Sequence, residues 1–144
     1  MSIFQDAILR FGRTIMSYAG DAVFLQAAVS SAANVIVADG DVGEEEIESA
    51  ISGIRANPIL EKSYDTLRVE QELYEAIARA KTRAGRLENL RHIGAIAERP
   101  IEQRQDVFLI GADVADIDGI SEVEHRALDE IAGALQVDKS ALLR

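Results

Sequence analysis

Ala22-Val23-Phe24-Leu25-Gln26-Ala27-Ala28-Val29-Ser30-Ser31-Ala32-Ala33-Asn34-Val35-Ile36-Val37-Ala38 runs 17 residues without a charge, and Asp21 and Asp39 bound it directly. The run is short for a bilayer, and it carries Gln26, Ser30, Ser31 and Asn34. It reads as a central core helix and not as a membrane span. Asp21 is placed to cap its N-terminus, and Asp39-Gly40 ends it in the way a glycine after a helix usually does.

Outward from this run, apolar residues recur near every 3.6 positions and not in the alternation of strands, which predicts an all-α domain. A first helix is expected over about Ile3 to Tyr18, with Ile3, Ala7, Phe11 and Ile15 on one stripe. After Gly40 a helix begins near Gly43 and runs through Ile47, Ala50, Ile51 and Ile54 to Asn57-Pro58, because a residue before proline disfavours helix. A short turn over Ile59 to Ser63 leads into a helix from about Tyr64 to Lys81, with Leu67, Leu73 or Tyr74, Ile77 and Ala80 as its stripe. The next helix spans about Arg86 to Ala97 through Leu87, Leu90, Ile93 and Ile96. Pro100 opens another, reaching Ala115 or Asp116. Ser121 starts the seventh, through Leu128, Ile131 and Leu135, and Asp138 caps a last turn. The expectation is one compact bundle of about seven helices over residues 1–144, without a linker.

The composition narrows the function. With 15 Lys+Arg against 25 Asp+Glu the formal charge is −10, which argues against generic nucleic-acid binding and leaves cations and basic partners. There is no cysteine, so disulfides, Cys-based zinc sites and thiol catalysis are excluded. The N-terminus, Met1-Ser2-Ile3-Phe4-Gln5-Asp6, lacks the basic and apolar regions of a secretory signal. The chain therefore reads as cytoplasmic.

An internal repeat follows from self-comparison. Ala33 to Gly40 aligns with Ala112 to Gly119 at an offset of 79 residues. Each copy closes on Asp-Gly (Asp39-Gly40 and Asp118-Gly119), then an aliphatic residue, then an acidic helix start. The first start is Gly43-Glu44-Glu45-Glu46. The second, one residue nearer its Asp-Gly, is Ser121-Glu122-Val123-Glu124. Two such hairpins suggest a pseudo-twofold arrangement in which the acidic turns face each other.

The chemistry of these corners has two readings. Asp39, Asp41, Glu44, Glu45, Glu46 and Glu48 lie within ten residues without a base, and seven acids share the stretch from Asp113 to Glu130 with Arg126 alone. Asp39 with Glu46 and Asp118 with Glu124 offer four carboxylates, hard ligands suited to Ca²⁺, Mg²⁺ or Mn²⁺. Alternatively the acids are capping chemistry. Ser121 to Glu124 has the form of a capping box, Gly43 to Glu46 has the same spacing, and acids in a first turn complement the helix dipole. The two roles are compatible. An EF-hand is excluded: from Asp116 the sixth loop position is Ser121 instead of Gly, and from Asp39 the twelfth is Ala50 instead of Glu.

Elsewhere the signals are weaker. His92 and His125 lack the partners of a zinc or di-iron motif and read as exposed helical residues. Arg79, Lys81, Arg83, Arg86, Arg91 and Arg99 form the one basic stretch, a solvated face or a surface for an acidic partner or anionic headgroups, with Arg83 and Arg86 as candidate contacts. No nucleophile motif, glycine-rich phosphate loop or nucleotide fingerprint is present, so enzymatic activity is not expected. A metal-assisted hydrolase would need a substrate cavity beside Asp39 and Asp118.

Ala38-Asp39-Gly40-Asp41-Val42-Gly43-Glu44-Glu45-Glu46-Ile47 and Ala115-Asp116-Ile117-Asp118-Gly119-Ile120-Ser121-Glu122-Val123-Glu124 resemble the paired acidic motifs of the TerB family of tellurite-resistance and stress-response proteins. The N-terminal Ser-Ile-Phe-Gln-Asp and the closing Ala-Leu-Gln-Val-Asp are also similar to that family. The resemblance spans essentially the whole chain. It implies a compact cytoplasmic all-α domain of about seven helices, working in bacterial and phage-linked stress systems in association with a membrane-embedded TerC-type partner and calcium-binding TerD-type proteins. It further implies a divalent cation (Ca²⁺, Mg²⁺, Mn²⁺ or Zn²⁺) at Asp39, Glu46, Asp118 and Glu124. The alternative is a metal-free adaptor that docks through its basic or its acidic face.

Overall fold

The computed structural model describes residues 21–144, apart from the side chain of Asp118. The helix expected over Ile3 to Tyr18 lies outside the described residues. Among them the chain forms eight α-helices, one 3-10 turn and no strand. The helices are α1 (Ala22–Val37), α2 (Glu44–Ala56), α3 (Pro58–Ser63), α4 (Thr66–Ala80), α5 (Arg83–Gly94), α6 (Ile101–Ala115), α7 (Glu122–Leu135) and α8 (Lys139–Leu142), with the 3-10 turn at Asp116–Asp118 between α6 and α7.

The uncharged run forms α1, and burial on every side accounts for its composition, since a helix apolar all round belongs inside. Every residue from Phe24 to Ile36 except Gln26 is buried. α1 packs against α4, α5 and α6, and more lightly against α2 and α7. Asp21 caps it, its Oδ1 accepting from the Phe24 N–H at 3.1 Å. No helix among the described residues is long and apolar enough to cross a membrane.

The polar residues of α1 are used for cross-linking. Asn89 of α5 is fully buried. Its Nδ2 donates to Asn34 Oδ1 and to the Ala76 carbonyl, each at 3.0 Å. Its Oδ1 accepts from Arg79 Nε at 2.8 Å and from Ser30 Oγ at 3.4 Å. All four hydrogen-bonding positions of the amide are thereby filled, and α1, α4 and α5 are tied at one point. Ser31 Oγ donates to the Val107 carbonyl of α6 at 2.9 Å.

Three expectations need correction. Ile59 to Ser63 belongs to a helix and not a turn: Asn57 Oδ1 accepts from the Ile59 and Leu60 N–H groups, and Pro58 supplies a preformed first position. On α4 the buried stripe is Val69, Leu73, Ala76, Ile77 and Ala80, while Leu67 and Tyr74 are exposed. At 100° per residue those two lie about 100–120° from Leu73, outside the stripe that Leu73 and Ile77 define. α5 begins at Arg83, three residues before the expected Arg86, because Thr82 Oγ1 caps it by accepting from the Gly85 N–H at 3.0 Å. Its core face is Gly85, Asn89 and Ile93, and Leu87 is exposed. A Cβ at position 85 would sit 1.8 Å from the Arg79 carbonyl oxygen, so only glycine lets α5 start against the end of α4.

Candidate metal centre

Each Asp-Gly turn reverses the chain through a left-handed glycine, Gly40 at φ +81° and Gly119 at φ +83°. Glycine adopts this conformation without the steric cost other residues carry. Asp39 Oδ1 accepts from the Asp41 N–H at 3.0 Å, which fixes the aspartate within its own turn. The next helix then starts on a glutamate at its third position. The Gly43 N–H donates to Glu46 Oε1 at 3.4 Å. In the second corner the Ser121 N–H donates to Glu124 Oε1 at 2.9 Å, and the Glu124 N–H returns a bond to Ser121 Oγ at 3.3 Å. Counted from the N-cap, Glu46 and Glu124 hold the same position. The shorter spacing in the second copy therefore leaves Glu124 in register.

The two corners meet. Asp39, Glu46 and Glu124 each offer a carboxylate oxygen, and the three oxygens lie within 4.8 Å of one another. A cation bound to oxygen at about 2.3–2.6 Å spans such a set. The three residues share a cavity of about 50 Å³ with Val114, Ala115, Ile117 and Gly119, so the last turn of α6 and the second Asp-Gly form its other wall. That volume holds an ion with about one or two waters.

No basic side chain pairs with these carboxylates among the described residues. Among the described residues the salt bridges are Arg68–Glu72, Arg99–Asp21 and Lys139–Asp129, all elsewhere. Glu124 is buried, 6 % exposed, and Asp39 is exposed. Glu46 Oε2 is buried without a hydrogen-bond partner. Burial, helped by Asp39, Glu124 and Asp41, pushes the Glu46 carboxyl above the ordinary glutamate value of 4.5, against the bond from Gly43. The capping reading is met at both corners, and the three carboxylates form a set that could hold a metal ion. Oε1 of each glutamate caps a helix, and at Glu46 the second oxygen is left facing other acids.

Of the four residues expected at this site, Asp39, Glu46 and Glu124 converge. Asp118 ends the 3-10 turn beside Gly119, and its side chain lies outside the described residues. The histidines are half-buried and not exposed as expected; His125 is not among the clustered ligands. The basic stretch divides. Arg79 serves the Asn89 network and reaches Gln26 Oε1 at 3.2 Å. Arg99 donates to Asp21 from both terminal guanidinium nitrogens, Nη1 and Nη2, and lies 5.9 Å from the Phe24 ring centroid. Arg83 and Arg86 are exposed, and neither forms an ion pair among the described residues. Nothing in the sequence flagged Asn89, because an asparagine at core spacing looks the same as one at the surface until its helix neighbours are known.

No family model, curated protein or solved structure matches this chain.

Proposed function

We propose that this chain is a non-enzymatic stress-response domain of the TerB type that binds a divalent cation between its two acidic corners. The observation that carries the reading is the convergence of Asp39, Glu46 and Glu124 with one buried carboxylate oxygen unpartnered. A buried anion without a partner is costly, and an oxygen-loving cation removes that cost. Asp118 stands before Gly119 as Asp39 stands before Gly40, and we assign it as the fourth ligand, which treats the corners as related repeats. The residues that carry the family resemblance include all four ligands. The 50 Å³ cavity is small beside the 300–1,000 Å³ of substrate sites, which favours a structural or regulatory ion over a catalytic one. The cation joins the end of α1 and the start of α2 to the junction of α6 and α7. The domain would dock with partner stress proteins at the inner face of a membrane.

Thermal unfolding in chelator and in excess Ca²⁺, Mg²⁺, Mn²⁺ or Zn²⁺ tests this. A cation at 100 times its Kd adds about 2.7 kcal/mol, a rise in Tm of several degrees. Asp39→Asn/Glu124→Gln should lose that rise while keeping the Ser121 cap, since glutamine still accepts the N–H. Equal melting with and without every cation rejects the site.

A metal-free adaptor is the second reading, and the exposure of Arg83 and Arg86, which form no ion pair among the described residues, favours it. Partner capture lost in Arg83→Glu/Arg86→Glu and indifferent to chelator would select it.

A further inference from the structure

Two adjoining cavities form a groove along one face of α6. Its first part is a cavity of about 320 Å³ between α6 and the α2–α3 junction, with Ala56, Pro58 and Ile110 among its walls and Asp106 and Asp113 at its edges. A second cavity of about 200 Å³ continues it towards α8, and the two share Leu109 and Asp113. Asp106, Leu109, Asp113 and Asp116 follow one another at helical spacing, so they form a single stripe. The lining of the first cavity is mostly apolar and that of the second mostly polar, and the charges stand along both.

The first edge is fixed by the fold. Asn57, 7 % exposed, uses its Oδ1 to cap α3 and donates from Nδ2 to Asp106 Oδ2 at 3.3 Å. No lysine or arginine among the described residues lies within 4.0 Å of Asp106, Asp113 or Asp116, although Arg144 borders the second cavity. Partial burial raises both the Asp106 and the Asp113 carboxyls, with Glu102 and Asp116 adding to the effect. An arriving cation finds exposed carboxylates that have no basic partner among the described residues. Asp106 and Asp113 are seven residues apart, about 10 Å along the helix, which matches two basic side chains two helical turns apart on a ligand. Lysine and arginine also carry apolar stems, and the walls of Leu109, Ile110 and Pro58 suit those stems better than they suit a hydrated metal ion.

We propose that this groove binds a basic amphipathic segment of a partner protein, seating lysine or arginine heads at Asp106 and Asp113 and their stems on Leu109 and Ile110. The occupant is chosen by charge complementarity and by the apolar lining of the first cavity. The surface is separate from the Asp39, Glu46 and Glu124 corner and does not depend on the metal reading.

The test uses the intact chain and a fluorescent helical peptide of about 14 residues, ~20 Å long, with two lysines seven positions apart beside a leucine stripe. Binding is followed by anisotropy in chelator at low salt. Asp106→Asn/Asp113→Asn should weaken it at least about tenfold, the effect of losing roughly 1.4 kcal/mol. Gly53→Leu should do the same without touching a carboxylate. A Cβ at position 53 meets Ile110 only at an ordinary 3.6 Å, so the larger side chain projects into the groove, and circular dichroism checks that each variant stays folded. No binding to the wild type overturns the proposal. So does equal binding to all three proteins, or full competition by spermine, which would reduce the effect to charge alone. A concentration-dependent dimer broken by Gly53→Leu would put a second copy of the chain in the groove and would also overturn it.

Discussion

Glu46 and Glu124 do the same thing at the two acidic corners: each sends Oε1 back to the N–H of its helix N-cap, at 3.4 Å and 2.9 Å, while the two side chains bring carboxylate oxygens within 4.8 Å of each other. Capping places them. Once each glutamate is held at the third position of its helix, the meeting of the helix starts fixes where the remaining charge goes. In the proposed reading, cation binding is a second use of the same side chains after helix capping.

In the absence of metal, Glu46→Gln should stabilise the protein slightly. The folded Glu46 carboxyl titrates above the ordinary 4.5, so above that value the native state holds a proton more tightly than the unfolded chain does. Stability contributed by this group therefore falls as pH rises through that window. Glutamine removes the charge and keeps the Gly43 cap. Relief of partly screened repulsion is worth less than about 1 kcal/mol. The expected outcome is a Tm higher by a few degrees at pH 7, with the difference from wild type vanishing below pH 4.5. Melting curves across pH 3.5–7.5, taken in chelator, give the comparison.

Asn89→Leu should be strongly destabilising. It strands Asn34 Oδ1, Arg79 Nε and Ser30 Oγ in or near the core and removes the second bond to the Ala76 carbonyl. Each buried polar group left unpaired costs about 1–3 kcal/mol. A loss of about 3 kcal/mol or more in urea unfolding is expected, against under about 1 kcal/mol for Leu87→Ala, whose side chain is exposed.

The Asp21–Arg99 pair should shape the acid limb of stability. Asp21 titrates below the ordinary 3.8, chiefly because Arg99 hydrogen-bonds it, with the Phe24 N–H adding to the effect against burial. Its stabilisation is fully present above 3.8 and is lost as pH falls through the lowered value. Arg99→Gln should cost about 1–2 kcal/mol at pH 7. The two proteins should then converge as pH is taken below 3.8, a convergence that acid titration followed by circular dichroism can detect.

Two glycines should respond in opposite directions. Gly85→Ala drives a Cβ into the Arg79 carbonyl at 1.8 Å, whereas position 133 of α7 has nothing within 4 Å. Gly133→Ala should stabilise by about 0.5–1 kcal/mol, the helix preference of alanine over glycine. Gly85→Ala should unfold α5 locally or the whole domain, and denaturant midpoints of the pair decide this.

The fold class was legible because a 17-residue uncharged run, too short for a bilayer and closed by aspartate at both ends, fits a buried helix and little else. Capping residues also announce themselves: Asp21, Ser121 and Asp138 all accept backbone N–H groups as helix caps. Leu67, Tyr74 and Leu87 fall outside the buried stripes because apolar identity alone does not set the angular centre of a stripe, which Val69 and Asn89 define in the folded chain. At the site, the pairing of Asp39 with Glu46 is local and follows from spacing. The arrival of Glu124 depends on α1 and α6 both packing in the core so that their ends coincide, a tertiary relation only hinted at by the repeat. Arg79 and Arg99 looked like surface charge because nothing local records that their partners, Asn89 and Asp21, lie on other elements or far along the chain.

The most direct measurement is isothermal titration calorimetry of the metal-stripped chain with Ca²⁺, Mg²⁺, Mn²⁺ and Zn²⁺, repeated on Glu46→Gln. At least one cation should give a saturable heat with wild type near one ion per chain, and Glu46→Gln should weaken it about tenfold or more while remaining folded. Absence of saturable heat for all four cations, or the same isotherm for wild type and Glu46→Gln, would contradict a cation held between the two acidic corners.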